Sequence, residues 1–195
     1  MKFEKLCKSL VEKKGDTIAI IPGSFKPPHA GHMDMVKKYS KRADKVIILI
    51  SKPGKQKRVT SSGKEITAKI AKKIFDLYVK IVGLKNVSVE ISSEASPITS
   101  AYDYVEKNMK DGETILFGAS DKGGDYNRWN KAPEYFEKKG QNVSIVPAKE
   151  ASVKAFKNIS ASDIRDNIEN LKDQKEKLPK ELGNKDILYI QGLLT

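Results

Sequence analysis

The chain has 195 residues, enough for one domain with a sizeable core, and the whole of 1–195 is expected to fold as a single unit. Apolar residues make up 38% and charged residues 32%, no apolar run nears the ~20 residues that cross a bilayer, and the lone cysteine, Cys7, excludes a disulfide framework or a Cys-based zinc site. A net charge of +12 and a pI near 9.5 suit a phosphate-rich partner, whether nucleotide, nucleic acid or anionic surface, without choosing among them.

Residues 1–16 read as an amphipathic helix, with Phe3, Leu6, Cys7, Leu10 and Val11 on one face. Charge interrupts this segment too often for a secretion signal, and the single cysteine suits a reducing compartment such as a cytoplasm. The core follows over 17–170. "TIAIIPG" (17–23) is a short β-branched run stopped by Pro22-Gly23, a buried strand. Residues 33–43 predict a helix, and "KVIILIS" (45–51) a strand buried on both faces. Residues 64–82 predict a long helix with Ile66, Ile70, Ile74, Leu77 and Ile81 on one side. "NVSVEIS" (86–92) alternates like a strand nearer an edge, and Ser96-Pro97 opens a helix with a serine cap and proline in its first turn. Strands are expected over 113–120 and 141–148, with a short helix ending at Gly140 between them. The tail, 171–195, reads as a charged surface helix and linker over 171–184. A closing helix follows, docking through Ile187, Leu188, Ile190 and Leu194.

Strands alternate with helices, so the expected fold is α/β: a Rossmann-like open parallel sheet of about five strands with helices on both faces. Ligands in such sheets bind beyond the C-terminal strand ends, where the strand order reverses. The unusual residues sit in those loops. His29 and His32 are the only two histidines in the chain, and they lie three residues apart in "GSFKPPHAGH" after the first strand. Pro27 and Pro28 keep the approach extended. A helix starting near Ala30 or Gly31 offers unpaired N–H groups and partial positive charge to an anion, and Gly31 lets it come close. The pair could instead be a packing feature. Zinc ligation lacks a third histidine or a cysteine.

After the fifth strand, Ser160 and Asp163 have the spacing of a capping box. After the second, Lys52 and Lys55 lie where an anion would pass, although a mobile basic loop explains them equally. After the fourth, Gly118, Asp121 and Lys122 fall in a glycine-rich loop, and Trp129, the sole tryptophan, could stack on a ring or belong to the core.

Two of these stretches resemble a known family. Gly23, Phe25, Pro27, His29, Gly31 and His32 fit G-x-F-x-P-x-H-x-G-H, and Ile159, Ser160, Ser162, Ile164 and Arg165 fit I-S-x-[ST]-x-I-R. Both are motifs of the HxGH nucleotidylyltransferase superfamily, here in the expected order. Class I aminoacyl-tRNA synthetases share the first motif, but this chain is shorter and has no KMSKS-like loop. The resemblance implies transfer of a nucleoside monophosphate from an NTP to a phosphorylated small molecule, with release of pyrophosphate. His32 would contact the α-phosphate, His29 the neighbouring phosphates, and Arg165 the β/γ-phosphates. Gly23, Ser24, Phe25, Gly31, Gly118, Ser160 and Ser162 would complete the nucleotide site. Lys52 would assist catalysis, and Lys26, Lys55, Asp121, Lys122 and Trp129 would meet phosphate or acceptor. Mg²⁺ is expected to arrive with the NTP, with no metal site in the protein. ATP is favoured over CTP. The histidine at position 29 and the proline-rich "FKPPH" lean toward nicotinamide mononucleotide, because phosphopantetheine adenylyltransferases usually carry threonine there. A basic nucleic-acid-binding or structural protein on the same fold is the alternative of another class. Homo-oligomerisation stays open, and no membrane partner is expected.

Overall fold

The computed structural model describes residues 15–52, 57–156 and 159–195. Lys55 and all but the last two residues of the helix expected over 1–16, Cys7 included, lie outside that set. Gly15 and Asp16 are not helical.

Five strands form one parallel sheet: β1 (Thr17–Gly23), β2 (Lys45–Ile50), β3 (Val87–Ile91), β4 (Thr114–Phe117) and β5 (Ser144–Ile145). Their spatial order is β3-β2-β1-β4-β5. The chain therefore steps outward from β1 in one direction, then returns and steps outward in the other. The reversal lies between β1 and β4, which places a crevice beyond their C-terminal ends.

Helices α1 (Ala30–Ser40), α2 (Ala68–Val82), α3 (Pro97–Asn108) and α4 (Ala132–Lys138) make the crossovers. Short α5 (Ala148–Ala151) and α6 (Ala161–Asp166) follow β5, and α7 (Asn184–Leu194) closes the chain. Two 3₁₀ segments, Lys122–Trp129 and Ile168–Lys177, complete the order. Side chains alternate across β1, so Ala19 and Ile21 join one core and Ile18 and Ile20 the other. The first core takes α1, α2, α6 and α7, and the second takes α3, α4 and Trp129. A strand covered on both faces has no polar face to show, which is why β1 and β2 read as unbroken apolar runs.

The structure departs from the sequence reading at several edges. α1 begins at Ala30 and ends at Ser40, ahead of the charged turn at Lys41 and Arg42. α2 begins four residues later than expected, because Val59 and Glu65 pair as an antiparallel bridge and the Thr67 hydroxyl accepts the Ile70 N–H at 3.2 Å. Its buried face is Ala68, Ala71, Ile74, Phe75 and Tyr78, whereas Ile70, Leu77 and Ile81 stay half-buried. The expected stripe was rotated because Phe75 and Tyr78 bury more surface than the isoleucines beside them. α2 stops at Gly83, whose φ of 75° few other residues adopt cheaply. β4 and β5 are shorter than the runs that predicted them. The chain leaves the sheet after Phe117, and Ser120 instead bridges to Val153. Ser96 caps α3 as expected, accepting the Thr99 N–H at 3.3 Å. The tail is less of a surface element than its charge suggests, since Leu171 and Leu178 enter the core. On α7, Ile187, Ile190 and Leu194 are buried but Leu188 is not, because it lies on the opposite face.

Candidate nucleotide site

The loop leaving β1 is tightly folded. Phe25 sits at φ +50°, a left-handed conformation uncommon for a bulky residue, and the Lys26–Pro27 peptide bond is cis. Phe25 folds back over Gly23, where a Cβ would lie 2.6 Å from its ring. The Phe25 ring meets the His32 ring edge-on at 4.9 Å and Phe75 at 5.0 Å, so one aromatic side chain ties the loop to α1 and α2.

His29 and His32 cap α1 reciprocally. The Gly31 N–H donates to His29 Nδ1 at 3.1 Å, and the His29 N–H donates to His32 Nδ1 at 3.3 Å. This is a capping box with imidazoles in place of the usual serine and glutamate. The rings stack with centroids 3.6 Å apart. Because each Nδ1 accepts a backbone proton, a neutral ring must carry its own proton on Nε2 and present it as a donor. Burial holds the His29 pKa down to about 4, with Asp163 opposing. Burial first, then the neighbouring His29, push His32 well below its ordinary value. At neutral pH the pair is thus two neutral N–H donors rather than two cations.

The second motif lies across the same cleft, which has a volume of about 500 Å³. Arg165 donates through Nη1 to the Lys26 carbonyl at 2.6 Å and through Nη2 to Ser162 Oγ at 2.7 Å. The Ser61 N–H in turn donates to the Arg165 carbonyl at 2.9 Å. One residue therefore joins the β1 loop, the β2–α2 loop and α6. Ser160 caps α6, but to the Ser162 N–H at 3.1 Å, so the expected partnership with Asp163 does not form. Asp163 instead lies close enough to act on His29.

Of the expected site residues, those of the β1 loop and α1 border this cleft, together with Lys122, Ser160, Ser162 and Arg165. Lys26 is only 3% exposed, and burial draws its pKa down, with Glu65 opposing and Arg58 adding. Four expected residues do not line this cleft. Lys52 is exposed, its N–H held by the Glu94 carbonyl at 2.9 Å. Gly118 is closely packed: a Cβ there would lie 2.9 Å from the Ile21 Cα. One Asp121 carboxylate oxygen accepts the Ala155 N–H at 2.7 Å. Trp129 is 1% exposed and stacks on Phe117 at 4.6 Å, inside the second core.

Sequence reasoning missed Arg58, Arg128, Lys154 and Phe156, which also line the cleft. Arg58 was within sight, in the basic run already noted after β2. Arg128 had no such signal. It lies over the Trp129 ring at 4.9 Å, donates to the Gly118 carbonyl at 3.1 Å and pairs with Asp125 at 3.3 Å. In all, six cationic side chains border the cleft against two carboxylates, Asp34 and Asp125. Such a cleft is built for a polyanion.

An open parallel sheet with paired imidazoles and an arginine around its switch-point crevice defines a nucleotidyltransferase. Comparison with known proteins agrees. A family model described as cytidylyltransferase-like matches residues 20–167. A phosphopantetheine adenylyltransferase of Vesicomyosocius okutanii subsp. Calyptogena okutanii (strain HA) is 37% identical over 114 residues, covering 51% of this chain and 72% of that one. A Vibrio parahaemolyticus protein assigned as a nicotinate-nucleotide adenylyltransferase superposes with a TM-score of 0.54 at 21% identity, over 89% of this chain and 97% of its own. A bifunctional NMN adenylyltransferase/ADP ribose pyrophosphatase of Francisella tularensis, complexed with AMP and a Mn ion, gives a TM-score of 0.56 at 17% identity. That match covers 92% of this chain but 52% of the Francisella chain, so the present chain spans about half its length. At these identities the two structures speak for the fold alone. The chain belongs to the cytidylyltransferase-like family.

Proposed function

We propose that this cleft binds a nucleoside triphosphate, ATP in preference to CTP, and transfers its nucleoside monophosphate to a phosphorylated small molecule. The observation that carries the reading is the Arg165–Lys26 hydrogen bond, which brings the two motifs to one cleft. The preference for ATP draws on the adenylyltransferase name of the curated relative.

The acceptor's phosphate oxygen is already ionised at neutral pH, so attack on the α-phosphorus needs no general base. Catalysis then rests on positioning and charge stabilisation. The Nε2–H groups of His29 and His32 donate to the α-phosphate and its neighbour. Two of the five N–H donors of Arg165 fix its fork, and the others serve the β/γ-phosphates. The Ser160 and Ser162 hydroxyls add donors, while Lys26 and Lys122 hold acceptor or leaving phosphates. A divalent cation, Mg²⁺ by preference, would arrive with the triphosphate and screen its charge. Among the described residues no group of three or more His, Cys, Asp or Glu could hold a metal.

The test crosses ATP and CTP with nicotinamide mononucleotide, nicotinate mononucleotide, phosphopantetheine, glycerol-3-phosphate and sugar phosphates, and measures pyrophosphate. Release with one NTP–acceptor pair, lost in Arg165→Ala, is the expected result. No release with any pair, together with no retention of ATP or CTP, overturns the proposal.

A further inference from the structure

One wall of the cleft is not part of α1, yet α1 holds it. Tyr39 lies two turns along α1 from His32 and is fully buried. Its hydroxyl accepts the Ala119 N–H at 3.1 Å and donates to the Ala151 carbonyl at 2.9 Å; the Ala119 carbonyl lies farther, at 3.2 Å. Three segments therefore meet at one oxygen: α1, the chain leaving β4, and the C-terminal end of α5. Just past α1, Arg42 donates to the carbonyls of Glu150 at 2.8 Å and Ala151 at 2.8 Å, closing the open end of α5. Lys38 Nζ donates to the Lys154 carbonyl at 2.8 Å. The strap so gripped continues through Val153 to Phe156 and, with Ser120, lines the cleft. At its far end Phe156 returns to α1, where its Cβ is 3.8 Å from the position of a Cβ on Gly31.

We propose that Tyr39 is a positioning residue for nucleotidyl transfer, aided by Arg42. It fixes the wall carrying Ser120, Lys154 and Phe156 at a set spacing from the imidazole pair on the same helix. The inference rests on the cleft being the NTP site. The physical reason is that α1 is a rigid rod, while the strap has a four-residue helix and is tied to the chain after β4 by two backbone bonds and the Ala155 N–H bond to Asp121. Without the hydroxyl, the Ala119 N–H loses its buried partner, the Ala151 carbonyl keeps only Arg42, and the wall loses its one buried tie to the helix that carries the imidazole pair.

The experiment compares wild type with Tyr39→Phe, using the NTP and acceptor found active above, and normalises rates to folded protein by circular dichroism. Tyr39→Phe is expected to raise KM for the NTP about tenfold and lower kcat, with KM for the acceptor changed far less. Arg42→Gln, at an exposed residue, is expected to follow in the same direction, and Arg42→Lys to recover part of the loss. Should Tyr39→Phe fail to fold, the arginine pair carries the comparison. Variants that lose only thermal stability, with kcat and both KM values at wild-type levels per folded molecule, overturn the inference. If wild type itself turns over no NTP, it is the proposed function that has failed.

Discussion

His32 shows how one side chain serves the fold and the chemistry through different atoms. Its Nδ1 finishes the cap of α1, and its Nε2–H is left for a ligand. His32→Ala is therefore expected to cost roughly 10²–10³ in turnover, the scale of losing one transition-state donor. The lost cap adds about 1 kcal/mol of destabilisation. Steady-state kinetics and chemical denaturation separate the two, and a twofold loss of turnover would remove His32 from its role. The histidine pair also sets a pH dependence. Above about pH 6.5 both rings are neutral folded or unfolded, so their contribution is complete. Below it the unfolded chain takes up protons that the folded site refuses, until His29 titrates at about 4. Stability should thus fall as pH drops through this window, by at most about 1.4 kcal/mol per unit per histidine. Thermal melts from pH 7.5 to 4.5 measure the decline, and His29→Gln should reduce it. A wild-type melting temperature unchanged down to pH 5 would contradict the buried, neutral pair.

Among the elements, the junction of β4 with the cleft is the most demanding. The Gly118 N–H donates to the Ile20 carbonyl at 2.7 Å, and its missing side chain lets the chain turn off the sheet against Ile21. Gly118→Ala would press a methyl group on the backbone of the central strand. We expect a loss of about 1–3 kcal/mol by urea denaturation, with reduced NTP affinity because the 120–128 segment hangs from this joint. A variant as stable as wild type would mean that β1 and β4 can separate without cost. The same region shows where sequence reading ran out. Gly118, Asp121 and Trp129 read as ligand contacts because they follow a strand. The partners the fold gives them, Ile21, Ala155 and Phe117, come from other parts of the chain and leave no local pattern. By contrast, the Ser96-Pro97 helix start was legible, because a cap is written within four residues.

At the scale of the whole molecule, whose net charge is +12, two populations of cations differ in what they do. Lys72, Lys107 and Lys138 pair with carboxylates four residues away on exposed helix faces, where such pairs contribute little. The cationic lining of the cleft is the other population, and its charge is concentrated in a concave site. Raising salt from about 0.05 to 0.5 M should therefore raise KM for the NTP several-fold and leave kcat nearly unchanged, since screening acts on capture more than on contacts already made. A salt-independent KM would show that this charge does not recruit the nucleotide.

By itself the sequence determined the alternation of strands and helices, the two motifs and the direction of the chemistry. These depend on periodicity, on caps and on residues within a few positions of one another. Only the tertiary structure decided that Arg165 reaches the Lys26 carbonyl, 139 residues away, that the two imidazoles stack as neutral donors, and which glycines and aromatics belong to packing. Contacts between distant segments depend on how sheet and helices close together, and that closure is a property of the whole packed core.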